Sequence, residues 1–250
     1  MLPQEKTEQQ SADKIFAQHF DDYFGKLSDY MQKLVVKFVA REMRNFDDFI
    51  AVSQAEITRH RMAPQALHAQ RLLENCHILD TETTGLHHAE VVEISIIDQS
   101  GNVVFDSLIK PVNPIPADAT SIHGITDEMV KDAPSWGDVH DQICALLLAK
   151  PLVIFNAAYD VQVMQETAEK YGKSIPEQFT QDSVNHGAFC AMKSYAEFYG
   201  VWDDTRQQYK WQSLAKAAAQ QNVTIEGQAH RALADCRTTL GVINAMAKEA

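Results

Sequence analysis

Cys76-His77-Ile78-Leu79-Asp80-Thr81-Glu82-Thr83-Thr84-Gly85-Leu86 is the stretch on which the reading of this chain turns. Cys76 to Leu79 form a compact apolar run that ends towards a turn signal at Gly85, the pattern of a short buried strand. Continued in extended backbone, the period of two places Asp80 and Glu82 on one face and Thr81 on the other. Two carboxylates that close raise each other's proton affinity unless a cation neutralises them. Hard divalent ions such as Mg²⁺ or Mn²⁺ suit oxygen ligands placed in this way. A bare D-x-E is also what a strand end with two solvated acids looks like, so the rest of the chain has to decide.

The totals narrow the choice. At 250 residues and 45% hydrophobic, the chain can build one substantial core with a smaller appendage. No apolar run approaches the roughly 20 residues of a membrane span, and the polar N-terminus is not a signal peptide. The cysteines at 76, 144, 190 and 236 are scattered, with no C-x-x-C pair to suggest zinc. Reduced thiols in a cytoplasmic protein are the expectation. The net charge of −12 argues against a protein that coats nucleic acid through a basic field. An enzyme acting on a nucleic-acid end remains compatible with it, because bound metal supplies local positive charge.

Residues 1–73 read as an N-terminal helical extension and 74–250 as the main domain. From Lys26 to Met62 there is neither glycine nor proline, and Leu27, Leu34, Phe38, Met43 and Phe46 lie on the apolar stripe of a helix. A shorter helix over Lys14–Tyr23 and another from Pro64 to Leu73 flank it. The stripe is read first as packing within the chain; a homodimer contact or a polymerase partner is the alternative use. Beyond the central stretch, Val91–Asp98 and Val103–Lys110 predict a hairpin around Gln-Ser-Gly-Asn. Thr126 or Asp127, and Ser135, are expected helix caps. Pro151–Phe155 predicts a buried central strand, followed by a turn and helix from Asn156, with further helices from Trp211 and Ala232. Ser194–Trp211 resists assignment. The order describes an α/β fold, a mixed sheet covered by helices.

Two other places hold chemistry-bearing residues at the ends of elements. Asp160 lies just past the predicted central strand at a helix start, where the plain reading is a capping acid. His230-Arg-Ala-Leu-Ala-Asp235 leads into the last helix. Five helical residues turn about 500°, so His230 and Asp235 converge only if the histidine sits on the preceding loop. Taken alone, His230 is a surface histidine. Glu93, Asp98, Asp182, Asp203 and Asp204 read as structural or solvated acids.

In combination these segments point further. Asp80-Thr-Glu-Thr-Thr-Gly-Leu86, Asn156-Ala-Ala-Tyr-Asp160 and His230-x4-Asp235 resemble the three motifs of the DEDDh family of 3′–5′ exonucleases, which includes the proofreading subunit of bacterial DNA polymerase III. Ser121-Ile-His-Gly-Ile-Thr126 is similar to that family's H-G-I segment. The resemblance runs from about Asn75 to Ala247 and implies a ribonuclease-H-like fold. It further implies two divalent metal ions, Mg²⁺ or Mn²⁺, and removal of nucleoside monophosphates from 3′ ends. By resemblance, Asp80, Glu82, Asp160 and Asp235 hold the ions and His230 is the general base. Thr83, Leu86, His123, Asn156 and Tyr159 are the implied substrate contacts. Single-stranded DNA is the expected substrate. RNA ends, or a catalytically silent binding or assembly module, are the alternatives.

Overall fold

The structure, a computed structural model, describes residue 33 and residues 46–180, 187–225 and 227–249. The chain divides into two compact units, Met1–Arg61 and Met62–Ala250. Of the first unit, only Lys33 and the opening turns of helix α1 (Phe46–Glu74) are described, and both are helical. The helix expected over residues 14–23 lies outside the described residues, as do residues 26–45, Lys33 apart, of the helix expected from Lys26 to Met62. So do Asp182 and the homodimer or polymerase contact expected of those helices. The predicted break between two helices near Pro64 is absent, since Pro64 lies inside α1 with its ring exposed. The second unit begins at Met62, because Ala66, Ala69 and Leu72 are buried against its core.

The second unit is built on a five-stranded sheet. In chain order its strands are β1 (His77–Thr83), β2 (Val91–Asp98), β3 (Val103–Leu108), β4 (Leu152–Ile154) and β5 (Phe189–Cys190). Across the sheet the order is β3-β2-β1-β4-β5. The β1–β2 and β2–β3 pairs are antiparallel, while β1–β4 and β4–β5 are parallel. The helices are α2 (Ala117–His123), α3 (Asp127–Val130), α4 (Trp136–Ala149), α5 (Ala157–Glu169), α6 (Glu177–Thr180), α7 (Ala191–Tyr199), α8 (Leu214–Gln220) and α9 (Ala232–Ala247). A small hairpin of β6 (Trp202–Asp203) and β7 (Gln208–Tyr209) lies between α7 and α8.

Alternation along β1 sorts its side chains into two cores. Leu79 joins Ile94, Ile96 and Ile154 beneath α4 and α5. Ile78 joins Ile97 and Val153 beneath α9, α7 and the last turns of α1. Local chemistry sets the connections. The Asp98 carboxylate accepts from the Ser100 and Asn102 main-chain amides and closes the β2–β3 turn. Buried Glu90 accepts from the amides of Val112 and Asn113 and from the Asn113 side chain, which anchors the proline-rich loop. Thr126, rather than Asp127, caps α3 by accepting from Met129 N–H, and Ser135 with Asp138 closes a capping box on α4. No helix among the described residues is long and apolar enough to cross a membrane.

Candidate active site

Three elements end at one place. In the β1–β2 register Asp80 faces Ser95 and Glu82 faces Glu93, so both acids of the D-x-E share the sheet face covered by α9. Thr81 points to the opposite layer, where its hydroxyl donates to the Asp160 carboxylate at 2.7 Å. Asp160 stands in the first turn of α5, just past the carboxyl end of β4, the parallel neighbour of β1. It does not cap that helix with its side chain. Its carboxylate is turned towards β1 instead, and it is buried.

The third contribution comes from the start of α9. Asp235 lies in the first turn, and its carboxylate accepts a hydrogen bond from the main chain of His230. His230 sits on the loop before the helix with φ +58°, in the left-handed region. For a residue with a Cβ this costs of order 1–3 kcal/mol and persists only where surrounding bonds over-determine it. Glu93 supplies those bonds. Its two oxygens take the Arg231 guanidinium in a forked pair at 2.5–3.1 Å and the Ala232 N–H at 2.9 Å. Glu82, His230 and Asp235 thereby bring one ligand atom each within 4.8 Å of one another.

The electrostatics follow from that convergence. Burial, then Asp160, Asp235, Glu82 and Glu93 in that order, hold the Asp80 carboxyl well above the usual carboxylate range. Glu82 is pushed up to about 8 by burial, with Asp235, Glu93 and Asp160 adding and Arg231 offsetting. Burial raises Asp160 to about 7 against the relief of its Thr81 hydrogen bond. Burial also raises Asp235, although His230 pulls it back. The nearby guanidinium of Arg231 is engaged by Glu93. Four acids therefore gather without a matching cation from the chain's described residues. Such an oxygen-only cluster is chemically suited to hard divalent ions.

The implied substrate contacts fall into two groups. Leu86 is 76% exposed at the tip of the loop after β1, and Asn156 is exposed with no capping bond to its side chain. Tyr159 and Thr83 hold that loop. The tyrosine hydroxyl donates to Gly85 C=O at 2.5 Å and meets the Thr83 hydroxyl at 2.6 Å. His123 is buried with both ring nitrogens engaged. Nδ1 accepts from Ile125 N–H, which leaves Nε2–H to donate to Thr83 C=O at 3.2 Å. Its ring orders the strand end.

The family model described as Exonuclease (RNase_T) matches residues 77–243, the span that carries all three of these elements. The chain belongs to that family. A relative with 48% identity, an uncharacterized exonuclease (CP81) of Escherichia phage 186, is matched over 72% of this exonuclease-family chain and 92% of its own length. The DNA polymerase III epsilon subunit of Escherichia coli K12 is 31% identical over 47% of this chain, a match that spans 53% of the subunit. Exonuclease X, solved with 5′-overhanging duplex DNA, superposes with a TM-score of 0.51 at 27% identity, covering 69% of this chain and 92% of that one. The expected exonuclease family and the expected mixed sheet flanked by helices both stand.

The sequence reading does not single out two residues that shape this candidate site. Glu93 reads as a structural acid, but its task of fixing the His230 loop needs the β1–β2 register and the α9 start together. Thr81 is there only the residue between two acids. The strand period could have nominated it, since Thr81 faces the layer from which Asp160 arrives.

Proposed function

We propose that the protein is a 3′–5′ exonuclease that removes nucleoside monophosphates one at a time from nucleic-acid ends, single-stranded DNA first. One observation carries the reading: Asp80, Glu82, Asp160 and Asp235, from three distant segments, gather at the end of β1 with His230 beside them. Asp80, Glu82, Asp160 and Asp235 are the residues to hold two divalent cations, Mg²⁺ or Mn²⁺. When bound, such ions neutralise charge on the attacking and leaving oxygens of a phosphodiester. His230 takes the proton of the attacking water, a task suited to an imidazole near neutral pH. Glu93 and Arg231 keep His230 aimed by fixing its loop. Leu86 wedges against the terminal base, Asn156 meets the terminal sugar, and Tyr159, Thr83 and His123 hold the wedge loop in place. The similarity to an epsilon subunit and to exonuclease X favours DNA.

Matched single strands of DNA and RNA, labelled at either end and incubated with Mg²⁺ or Mn²⁺, test the polarity and the sugar preference. The expected result is early loss of a 3′ label as mononucleotide, with the 5′ label retained on a descending ladder and DNA consumed faster than RNA. Release of a 5′-labelled mononucleotide at the outset contradicts the polarity.

The raised carboxyls carry a second expectation. Between about pH 4, where free carboxylates titrate, and about 8, where Glu82 does, the folded chain holds more protons than the unfolded one. Stability of the metal-free protein therefore falls as pH rises through this window. A divalent cation replaces the protons and restores it. Thermal melts at pH 5 and pH 8, with and without Mn²⁺, should show stabilisation chiefly at pH 8. The expected size is roughly 5–10 °C, from relief of a few kcal/mol at about 2–4 °C each. Equal Mn²⁺ effects at both pH values would count against a metal-seeking cluster.

A further inference from the structure

A cleft of about 350 Å³ opens between α7 and the β6–β7 hairpin, lined by Lys193, Glu197, Trp202, Gln207, Gln208, Tyr209 and Trp211, with Ala196 at its floor. Its aromatic content is unusual for a surface. Trp202 is 45% exposed and Trp211 51%, whereas the chain's third tryptophan, Trp136, is fully buried. Trp202 is held edge-on by Tyr209 at a ring separation of 5.1 Å, which stiffens one wall. The hairpin tip is also set: the Asp203 carboxylate accepts from Thr205 and Arg206 N–H, and Gln207 adopts φ +52°. Glu197 is occupied by the Gln65 amide. Lys193 lines the cleft, and Arg206 and Lys210, next in sequence to lining residues, are exposed. In a chain of net charge −12, this is a place where positive charge and flat aromatic faces occur together.

The cleft is also tied to the active site. The N–H of Met192, next to Lys193, donates at 2.8 Å to the C=O of Phe155, the residue before Asn156. The nine residues of α7, about 13 Å long, begin beside that bond, and Lys193, Ala196 and Glu197 of this helix line the cleft. A strand whose 3′ end lies at Asp80 and Asp160 has the cleft within reach of its next few nucleotides.

We infer that this cleft is a second nucleic-acid contact, in which Trp202 and Trp211 stack on bases of the single strand upstream of the cleaved end. Lys193 and Lys210 meet its phosphates, and Gln207 and Gln208 present amides to base edges. The inference rests on the exonuclease reading above and extends it from the terminal nucleotide to the strand behind it. Aromatic faces accept any base, so the contact raises affinity for long strands without dictating sequence.

The test compares the full-length protein with Trp202→Ala/Trp211→Ala, Trp211→Ala and Trp211→Phe variants. Binding of an oligothymidylate of roughly 20 nucleotides, longer than the site of a single-strand-binding module, is followed in Ca²⁺ by tryptophan fluorescence for the wild type and by anisotropy of a labelled strand for all. Turnover of the p-nitrophenyl ester of thymidine 5′-monophosphate in Mn²⁺ reads the catalytic centre alone. The wild-type fluorescence should be quenched by the oligonucleotide, because Trp202 and Trp211 face it. Trp211→Ala should bind about tenfold more weakly and the double variant more weakly still, given the usual worth of one stacked base. Trp211→Phe should keep most of the affinity, and ester turnover should stay within about twofold in every variant. Unchanged oligonucleotide affinity in the double variant overturns the proposal, as does an equal loss of ester turnover. A wild type that binds the strand through this cleft yet hydrolyses neither substrate sinks the exonuclease reading while upholding the contact.

Discussion

Replacing Asp80 by Asn should abolish nucleotide release and leave the fold intact, with a melting temperature at pH 8 no lower than that of the wild type. The two halves of this expectation have one cause. Asp80 faces Asp160, Asp235, Glu82 and Glu93, and its negative form is disfavoured by burial and by all four. An amide of the same shape removes that repulsion, so the metal-free variant gains stability where the wild type is most strained. On the proposed mechanism it also removes a charge that would hold the cations, which would supply several kcal/mol of transition-state stabilisation. At about 1.36 kcal/mol per decade this corresponds to a loss of about 10³-fold or more. Nucleotide release from an end-labelled strand, read beside a thermal melt, checks both. Undiminished release would remove Asp80 from the mechanism, and a sharply lowered melting temperature would make it a structural residue.

Glu93→Ala should damage stability and activity together. The variant strips the Arg231 guanidinium of its forked partner and leaves the Ala232 N–H at the start of α9 without its acceptor. Arg231 keeps some exposure, so the cost falls below that of a fully buried pair, at about 2–4 kcal/mol. That corresponds to roughly 5–15 °C of melting temperature in a chain of this size. Glu93→Gln retains an acceptor for the N–H and should recover part of the loss. The distinguishing measurement is the pH profile of hydrolysis at a temperature where all variants are folded. If Glu93 acts by aiming His230, the alanine variant loses kcat throughout and its profile departs from that of the wild type. A profile of unchanged shape and height would confine Glu93 to stability.

Strands β1 to β4, the β2–β3 hairpin and the caps at Thr126 and Ser135 are readable in the sequence because each rests on local chemistry. Val91–Asp98 is a buried apolar run ending in a turn that Asp98 closes itself, and Ser135 heads its capping box within four residues. The gathering of Asp80, Glu82, Asp160 and Asp235 is legible only as a pattern of motifs. No local rule states that the end of β4 lies beside β1, and Asp160 obeys the ordinary preference for acids at helix starts. Parts that depend on distant partners stay hidden. β5 has two residues and exists through its pairing with β4, and β6 and β7 are as short. Pro64 favours a break, yet α1 continues through it, and on its far side the helix is held by the burial of Ala66, Ala69 and Leu72. The motif around His123 puts it near the substrate; its two engaged nitrogens emerge only once α2 folds back on Thr83.

The central strand has consequences for how this protein can change. Because β1 sends Asp80 and Glu82 one way and Leu79 and Thr81 the other, a slip of a single residue would trade acids for aliphatics in both layers. Lengthening or shortening the chain inside His77–Thr83 therefore has no mild outcome. The hairpin tip around Thr205–Gln207 lies outside the buried clusters and can take insertions with the sheet left in register. Divergence in this lineage, or deliberate engineering of reach and preference, has its room there and almost none along the strand that carries the acids.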